Sequence, residues 1–424
     1  MSSGILNSPK MTFAEKIISL KSVQKKTFSA GDFAVVNVDL TLAQDSTGPL
    51  AIKVLQEMGI ERVWDARKIL LFLDHTYPAA DVKVANMHAM MRGFAFKHGC
   101  VLVEGSISHQ HVLEEYAAPG LLLLGADSHT IQAGCMGMFA SGIGSTEAAA
   151  VWATGKIWLR VPESLKISVS GGLKKGVFAR DVIMHFIKTV GEDGANYKSL
   201  EWHGSTISAM SIESRACICN NAMECGSKNS FVQSDAKTKQ YLKQAKRKPM
   251  SEIVPGKKAS FAEEFEIEAG RLEPLVALPS NVDKVKAVRE VAGAPFDQGF
   301  IGSSTNGRIE DLEAAARILK GRKVSKECRL VITPASKMVY EQAIKNGLVK
   351  IFLEAGAVFT NATCGACVGT HLGVLGAQEV CISSSPRNYV GRMGDTTAKI
   401  FLASPATVAA SAVKGKIADP RGFM

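Results

Sequence analysis

Two cysteines separated by two residues, Cys364-Gly365-Ala366-Cys367, put two thiols on one short turn. That spacing suits a shared metal centre or a redox pair. Two buried thiols with neither role would have the same sequence, and the flanking residues do not read as a thioredoxin unit. A second signal is Gly302-Ser303-Ser304-Thr305-Asn306-Gly307-Arg308, which follows the apolar pair Phe300-Ile301. A Gly/Ser turn at a helix start offers free backbone N–H groups to an anion or a cluster, although ordinary N-terminal caps share the pattern. Asp74-His75 ends one apolar run, Asp127-Ser128-His129-Thr130 follows another, and His109-Gln110 lies between them in the chain. A histidine oriented by a carboxylate can work as a general acid near neutral pH. One such pair is usually structural; several at strand ends, beside a candidate metal site, point to a polar active site. Arg387 and Arg392 follow Cys381 and could hold carboxylates through two N–H groups at once, or could be plain surface charges.

The elements that must position these residues alternate between strand and helix. Phe33 to Leu40, Ile69 to Leu73, Leu121 to Leu124 and Leu165 to Val169 read as strands. Phe178 to Val190 reads as a helix. So does Ile309 to Leu319, with Glu310 and Asp311 in its first turn. A chain of 424 residues exceeds the roughly 250–300 residues that one core sustains. Cuts near 162 and 284 give three α/β units: 1–162, 163–284, and 285–424, the last holding Ser304, Cys364 and Cys367.

Composition removes several classes of function. At 46% hydrophobic and 21% charged residues the chain is globular, not disordered. No apolar run approaches the roughly 20 residues of a spanning helix. Met1 to Lys10 lacks a signal-peptide core, which points to a cytoplasmic setting where nine cysteines stay as thiols or ligands. The formal charge of +10 concentrates between Ala236 and Lys258, where Lys237, Lys239, Lys243, Lys246, Arg247, Lys248, Lys257 and Lys258 face the single acid Glu252. This is a solvated face or a docking patch for an acidic partner or nucleic acid. With Tyr241 as its one aromatic residue, it supports base stacking poorly.

In this order the motifs resemble those of the aconitase superfamily, and within it the large subunits of the 3-isopropylmalate dehydratase and homoaconitase group. The resemblance runs from Ala14-Glu15-Lys16-Ile17 to the segment Ser404 to Ala412. It is carried by Gly-Ala-Asp-Ser-His-Thr at 125–130, Ile-Gly-Ser-Ser-Thr-Asn-Gly-Arg at 301–308, Cys-Gly-Ala-Cys at 364–367, and Cys219-Asn220 followed by Glu224. It implies three α/β domains of the aconitase type without the swivelling fourth domain, which in this group is a separate small subunit carrying the base. It also implies a 4Fe–4S cluster with three protein ligands and an open iron, at Cys364, Cys367 and the position of Ser304. There the family has cysteine, and Pro386 stands where the family usually has asparagine; both departures weigh against a firmly held cluster. The implied reaction is dehydration or isomerisation of a small 2-hydroxy di- or tricarboxylic acid. By resemblance, His75 oriented by Asp74 would protonate the leaving hydroxyl. Asp127, His129, His109 and Glu224 would surround it, and Gln44, Asp45, Ser128, Arg387 and Arg392 would contact substrate. The alternative is a family member without a cluster, either a divergent enzyme or a ligand- or RNA-binding protein.

Overall fold

Apolar runs bounded by Gly, Pro and Asp turns settle into four sheets in the computed structural model, which describes residues 2–247 and 252–424. The first main sheet is wholly parallel. In spatial order it holds Val101–Glu104, Ile69–Leu73, Leu40–Gln44, Leu122–Gly125 and Phe139–Gly142. Helices cover both faces, so Ile69–Leu73 is buried at every residue instead of alternating. The expected strand from Phe33 to Leu40 is two strands. Phe33–Asn37 pairs with Lys156–Arg160 in a two-stranded ribbon, and the chain enters the main sheet only at Leu40. Asp39 makes the break: its carboxylate accepts the Leu122 N–H at 2.7 Å and meets Lys21 at 2.6 Å.

The middle sheet, also parallel, places Asn229–Val232, Ser199–His203, Ser164–Ser170 and Glu263–Glu268 side by side. The third sheet runs Val285–Ala287, Leu275–Ala277, Lys399–Ala403, Val380–Ser383, Gln298–Ile301, Arg329–Ile332 and Val358–Phe359. Leu275–Ala277 pairs antiparallel with both of its neighbours, and the remaining pairings are parallel. The expected cut at 284 falls inside this sheet, because Leu275–Ala277 pairs with Val285–Ala287. Sheet membership changes instead between Glu268 and Leu275, around the short turn Ala269–Arg271.

One continuous core joins the first and middle units. Leu42, Leu123 and Met136 pack in the same cluster as Leu165, Ile183 and Trp202. Close approach at this seam requires glycine at 134, where a Cβ would overlap the Ser230 carbonyl oxygen. The N-terminal helix Phe13–Lys21 docks on the middle sheet through Phe13, whose ring stacks on Phe231 at 3.6 Å between centroids. Its first N–H is accepted by the fully buried Glu201 at 2.9 Å.

Burial pushes the Glu201 carboxyl up to about 7 from 4.5. The folded state therefore binds this proton more tightly than the unfolded chain does. The associated stability is fully present below 4.5 and is lost as pH rises through about 7. Glu201→Gln is expected to unfold at a higher temperature than the parent at about pH 8 and to lose that advantage near about pH 4, as calorimetry across the range will read.

The Lys-rich segment contributes the helix Ala236–Gln244. Several of its charges are used internally. Arg247 donates to the Ala117 and Leu113 carbonyls at 2.7 and 2.9 Å, Lys237 to the Met210 carbonyl at 3.1 Å, and Lys239 meets Glu252 at 3.0 Å. Lys248 lies outside the described residues. Among the described residues no helix is long and apolar enough to cross a membrane.

Candidate active site

The residues singled out for chemistry stand at or beyond the carboxyl ends of parallel strands; Glu224 alone sits on the turn Ala222–Cys225, behind the helix Ile212–Asn221. Both large sheets grow outward in two directions from a central strand. In the first, the reversal lies between Leu40–Gln44 and Leu122–Gly125, which deliver Gln44-Asp45 and Asp127-Ser128-His129. In the third it lies between Gln298–Ile301 and Val380–Ser383, which deliver Ser304 and Arg387. Ligands of open parallel sheets bind in such crevices. Here the two crevices face each other: the Cys364 N–H and the Thr363 hydroxyl both donate to the Asp74 carbonyl, at 3.0 and 2.7 Å.

His75 is the centre of the arrangement. Its Nδ1 lies 2.8 Å from Asp74 Oδ1, and the other Asp74 oxygen accepts the Ser108 N–H at 2.7 Å. Asp74 is fully buried and held from both sides, so it fixes the ring and directs Nε2 toward Asp127 Oδ2 at 3.5 Å. Asp45 accepts the backbone N–H groups of His75 and Thr76, each at 3.1 Å, and His88 Nε2 at 3.1 Å. Asp45, Asp74 and His75 bring ligand atoms within 4.8 Å of one another. The carboxylate oxygens are already filled by N–H donors, so the group is a hydrogen-bonded brace for His75.

Asp127 takes His109 Nε2 at 2.9 Å, the His129 N–H at 2.7 Å and Gln44 Nε2 at 3.5 Å. Its loop lies so close to the neighbouring strand that a Cβ on Gly142 would stand 2.9 Å from the Asp127 carbonyl oxygen. His129 Nε2 meets Glu224 at 3.0 Å. Arg387 Nε donates to both Glu224 oxygens, at 2.9 and 3.0 Å, and its Nη2 donates to Ser128 Oγ at 3.1 Å. Arg392 reaches Cys367 Sγ at 3.8 Å, and its Nε is buried without a partner among the described residues, as is His109 Nδ1.

Electrostatics separates the histidines. Burial opposes the His75 cation, but Cys364, Asp74 and Asp127 outweigh it and hold its pKa well above the ordinary histidine value. Burial and the Arg387 charge push His129 down to about 4 despite Glu224, which leaves it neutral at pH 7. Against burial, His109 and His75 hold Asp127 well below the usual carboxylate range. His129 and Arg387 likewise keep Glu224 ionised. One crevice thus contains a histidine favoured as a proton donor, a neutral histidine and two carboxylates, and acid–base chemistry needs groups whose affinities are pushed apart in this way.

The sequence-predicted residues assemble around this crevice, with Ser304 on its third-sheet wall. Its Oγ accepts the Asn220 amide at 3.1 Å. Asn220 also donates to Gln132 at 2.9 Å and accepts the Thr305 hydroxyl at 2.8 Å. Arg308 pins the same turn from below, donating to the Ser304 and Thr305 carbonyls and to Gln110 Oε1 at 3.0 Å. Ser303 adopts φ 67°, a left-handed conformation uncommon outside glycine and found at functional turns. His88 was not legible in the sequence. It lies within the helix Val82–His98, and its partner Asp45 is 43 positions away. Gln132 was not legible either, and the Gln110 contact of Arg308 was not, because these partners lie on other elements.

The donors do not match the three-ligand cluster that the motif resemblance implies. Clusters of this type are held by thiolates, and only Cys364 and Cys367 offer sulfur at this wall. The third corner is a hydroxyl that already accepts an amide N–H. Cys217, near in sequence to the Asn220 contact, is instead occupied by the amides of Asn306 and Asn221 at 3.5 and 3.8 Å.

Comparison with known proteins fits this geometry. The family model "Aconitase family (aconitate hydratase)" matches residues 15–415. The chain belongs to the aconitase family. It is 47% identical to a protein of Archaeoglobus fulgidus named 3-isopropylmalate dehydratase large subunit 2, over 97% of this chain and 99% of that one. It is 43% identical to 3-isopropylmalate dehydratase large subunit 1 of Methanopyrus kandleri, with the same coverage. The large subunit of Aquifex aeolicus is 44% identical over 97% of each chain. Among solved structures, aconitase X of Thermococcus kodakaraensis superposes with a TM-score of 0.52 at 13% identity, covering 93% of this chain and 95% of that one. That likeness concerns the fold alone.

Proposed function

We propose that this chain is the large subunit of a hydro-lyase that dehydrates and isomerises a small 2-hydroxy di- or tricarboxylic acid of the 3-isopropylmalate type. The observation that carries the reading is His75. It is braced by Asp74 and Asp45, faces Asp127, and sits where two parallel-sheet crevices meet in a member of the aconitase family. Relatives at 43–47% identity over nearly the whole chain are named 3-isopropylmalate dehydratase large subunits. The small substrate-closing subunit that such a name calls for, and a cytosolic setting, belong to the same reading.

In this mechanism Arg387 and Arg392 hold the substrate carboxylates, with Ser128 and Gln44 completing the cradle. A base from the partner subunit removes the proton beside a carboxylate. The C–H electron pair becomes the new C=C bond, the C–O bond breaks, and the departing hydroxide takes the proton on His75 Nε2 and leaves as water. Asp74 keeps Nδ1 protonated throughout and stabilises the ring in both states. Rehydration in the opposite orientation runs the same steps backwards. No step is routed through an iron–sulfur cluster, because the donors at Ser304, Cys364 and Cys367 do not match one.

The test is turnover of 3-isopropylmalate, citrate and homocitrate by the chain alone and by the chain purified with its small subunit, followed through ultraviolet absorbance of the unsaturated product. The expected result is turnover of one of these acids by the complex and none by the chain alone. Failure of the complex on every acid, or full activity of the isolated chain, contradicts the reading.

The RNA-binding alternative loses support from the internal contacts of Arg247, Lys237 and Lys239.

A further inference from the structure

The wall formed by Ser304, Cys364 and Cys367 departs from a cluster site in a specific way. In the motif that the resemblance implies the third corner is a cysteine; here it is Ser304, nearly buried at 6% exposure, with its oxygen accepting an N–H from Asn220. Asn220 is itself fully buried and spent on three partners, Ser304, Gln132 and Thr305. Binding iron at Ser304 would require an alkoxide, a hard and strongly basic donor. Neither Cys217 nor Cys381 supplies the missing third thiolate. Cys217 is tied to Asn306 and Asn221. Cys381 lies in the strand Val380–Ser383, before the carboxyl end where the site forms. Pro386 adds a second change on the same side: it is buried next to Arg387 and has neither a backbone N–H nor an amide side chain to offer.

Resting on the hydro-lyase reading above, we infer that this chain works without an iron–sulfur cluster, with the Ser304–Asn220–Gln132–Thr305 network filling the corner that a third thiolate would occupy. The reaction balances without a metal. The carbon-bound proton goes to the partner's base, its electron pair forms the alkene, and the hydroxide departs as water with the His75 proton. Carboxylate charge is met by Arg387 and Arg392. The ligand class is unchanged, a hydroxy acid with at least two carboxylates.

The experiment compares the parent complex with Ser304→Cys/Pro386→Asn after identical anaerobic reconstitution with iron and sulfide. The readouts are bound iron, acid-labile sulfide and visible absorbance. The expected result is well under one iron per parent chain, and roughly four irons and four sulfides in the double variant. A parent that retains a full complement of iron and sulfide overturns the inference. A double variant as empty as the parent overturns the assignment to Ser304 and Pro386. Turnover of the iron-free parent is measured alongside. An iron-free but inactive complex leaves the cluster inference standing and counts against the hydro-lyase reading, so the two fail separately.

Discussion

His75→Gln is expected to lower kcat by about 10²–10⁴-fold, the range a positioned general acid contributes, with KM changed far less. The side chain is mostly enclosed, and its structural contacts run through its backbone N–H to Asp45 and its Nδ1 to Asp74. Glutamine can keep a polar contact with Asp74 and preserve the fold, but it cannot donate a proton to a leaving hydroxide. The thermal midpoint should therefore stay close to the parent's while turnover collapses. Asp74→Asn is expected to give a smaller loss, because the ring remains but its tautomer and orientation are no longer enforced. A His75→Gln variant with near-parental kcat would remove the proton donor from the mechanism.

Arg387→Met should have the second largest effect. Arg387 donates to both oxygens of the buried Glu224 and to Ser128, and it spans the gap between the third sheet and the first. Removing it strands the buried Glu224 anion and, in the proposed mechanism, deletes a carboxylate holder. Breaking a buried pair from one side costs about 3–5 kcal/mol. A fall in kcat/KM of at least about 10²-fold is expected. Arg387→Lys should recover little, since a point ammonium cannot make the two-pronged contact. Combining Arg387→Met with Glu224→Gln should recover stability but not activity, because the stranded charge is gone and the substrate contact is still missing. A double variant that regained both would make Arg387 purely structural.

Much of this architecture is legible in the sequence. The strand Ile69–Leu73 and the helix Ile309–Leu319 have the expected bounds, because a wholly apolar run and an amphipathic run with acids in its first turn are local signals. The break at Asp39 was not readable. It depends on Leu122 and Lys21, which are distant in the chain. The antiparallel pairing by which Leu275–Ala277 joins the third sheet was not readable for a related reason: no local pattern announces it. At the site, Asp74-His75 and Asp127-Ser128-His129 were visible because acid and histidine adjoin in sequence. His88, Gln132 and the Gln110 contact of Arg308 were not, since each involves a residue from another element. The pairing of His129 with Glu224, and of Glu224 with Arg387, likewise needed the three sheets to be brought together.

The most direct test of the account is the appearance of unsaturated product when 3-isopropylmalate is added to the complex of this chain with its small subunit, run beside the His75→Gln complex. The account predicts a steady rise in ultraviolet absorbance from the first and a flat trace from the second. Equal traces, whether both rising or both flat, would contradict it.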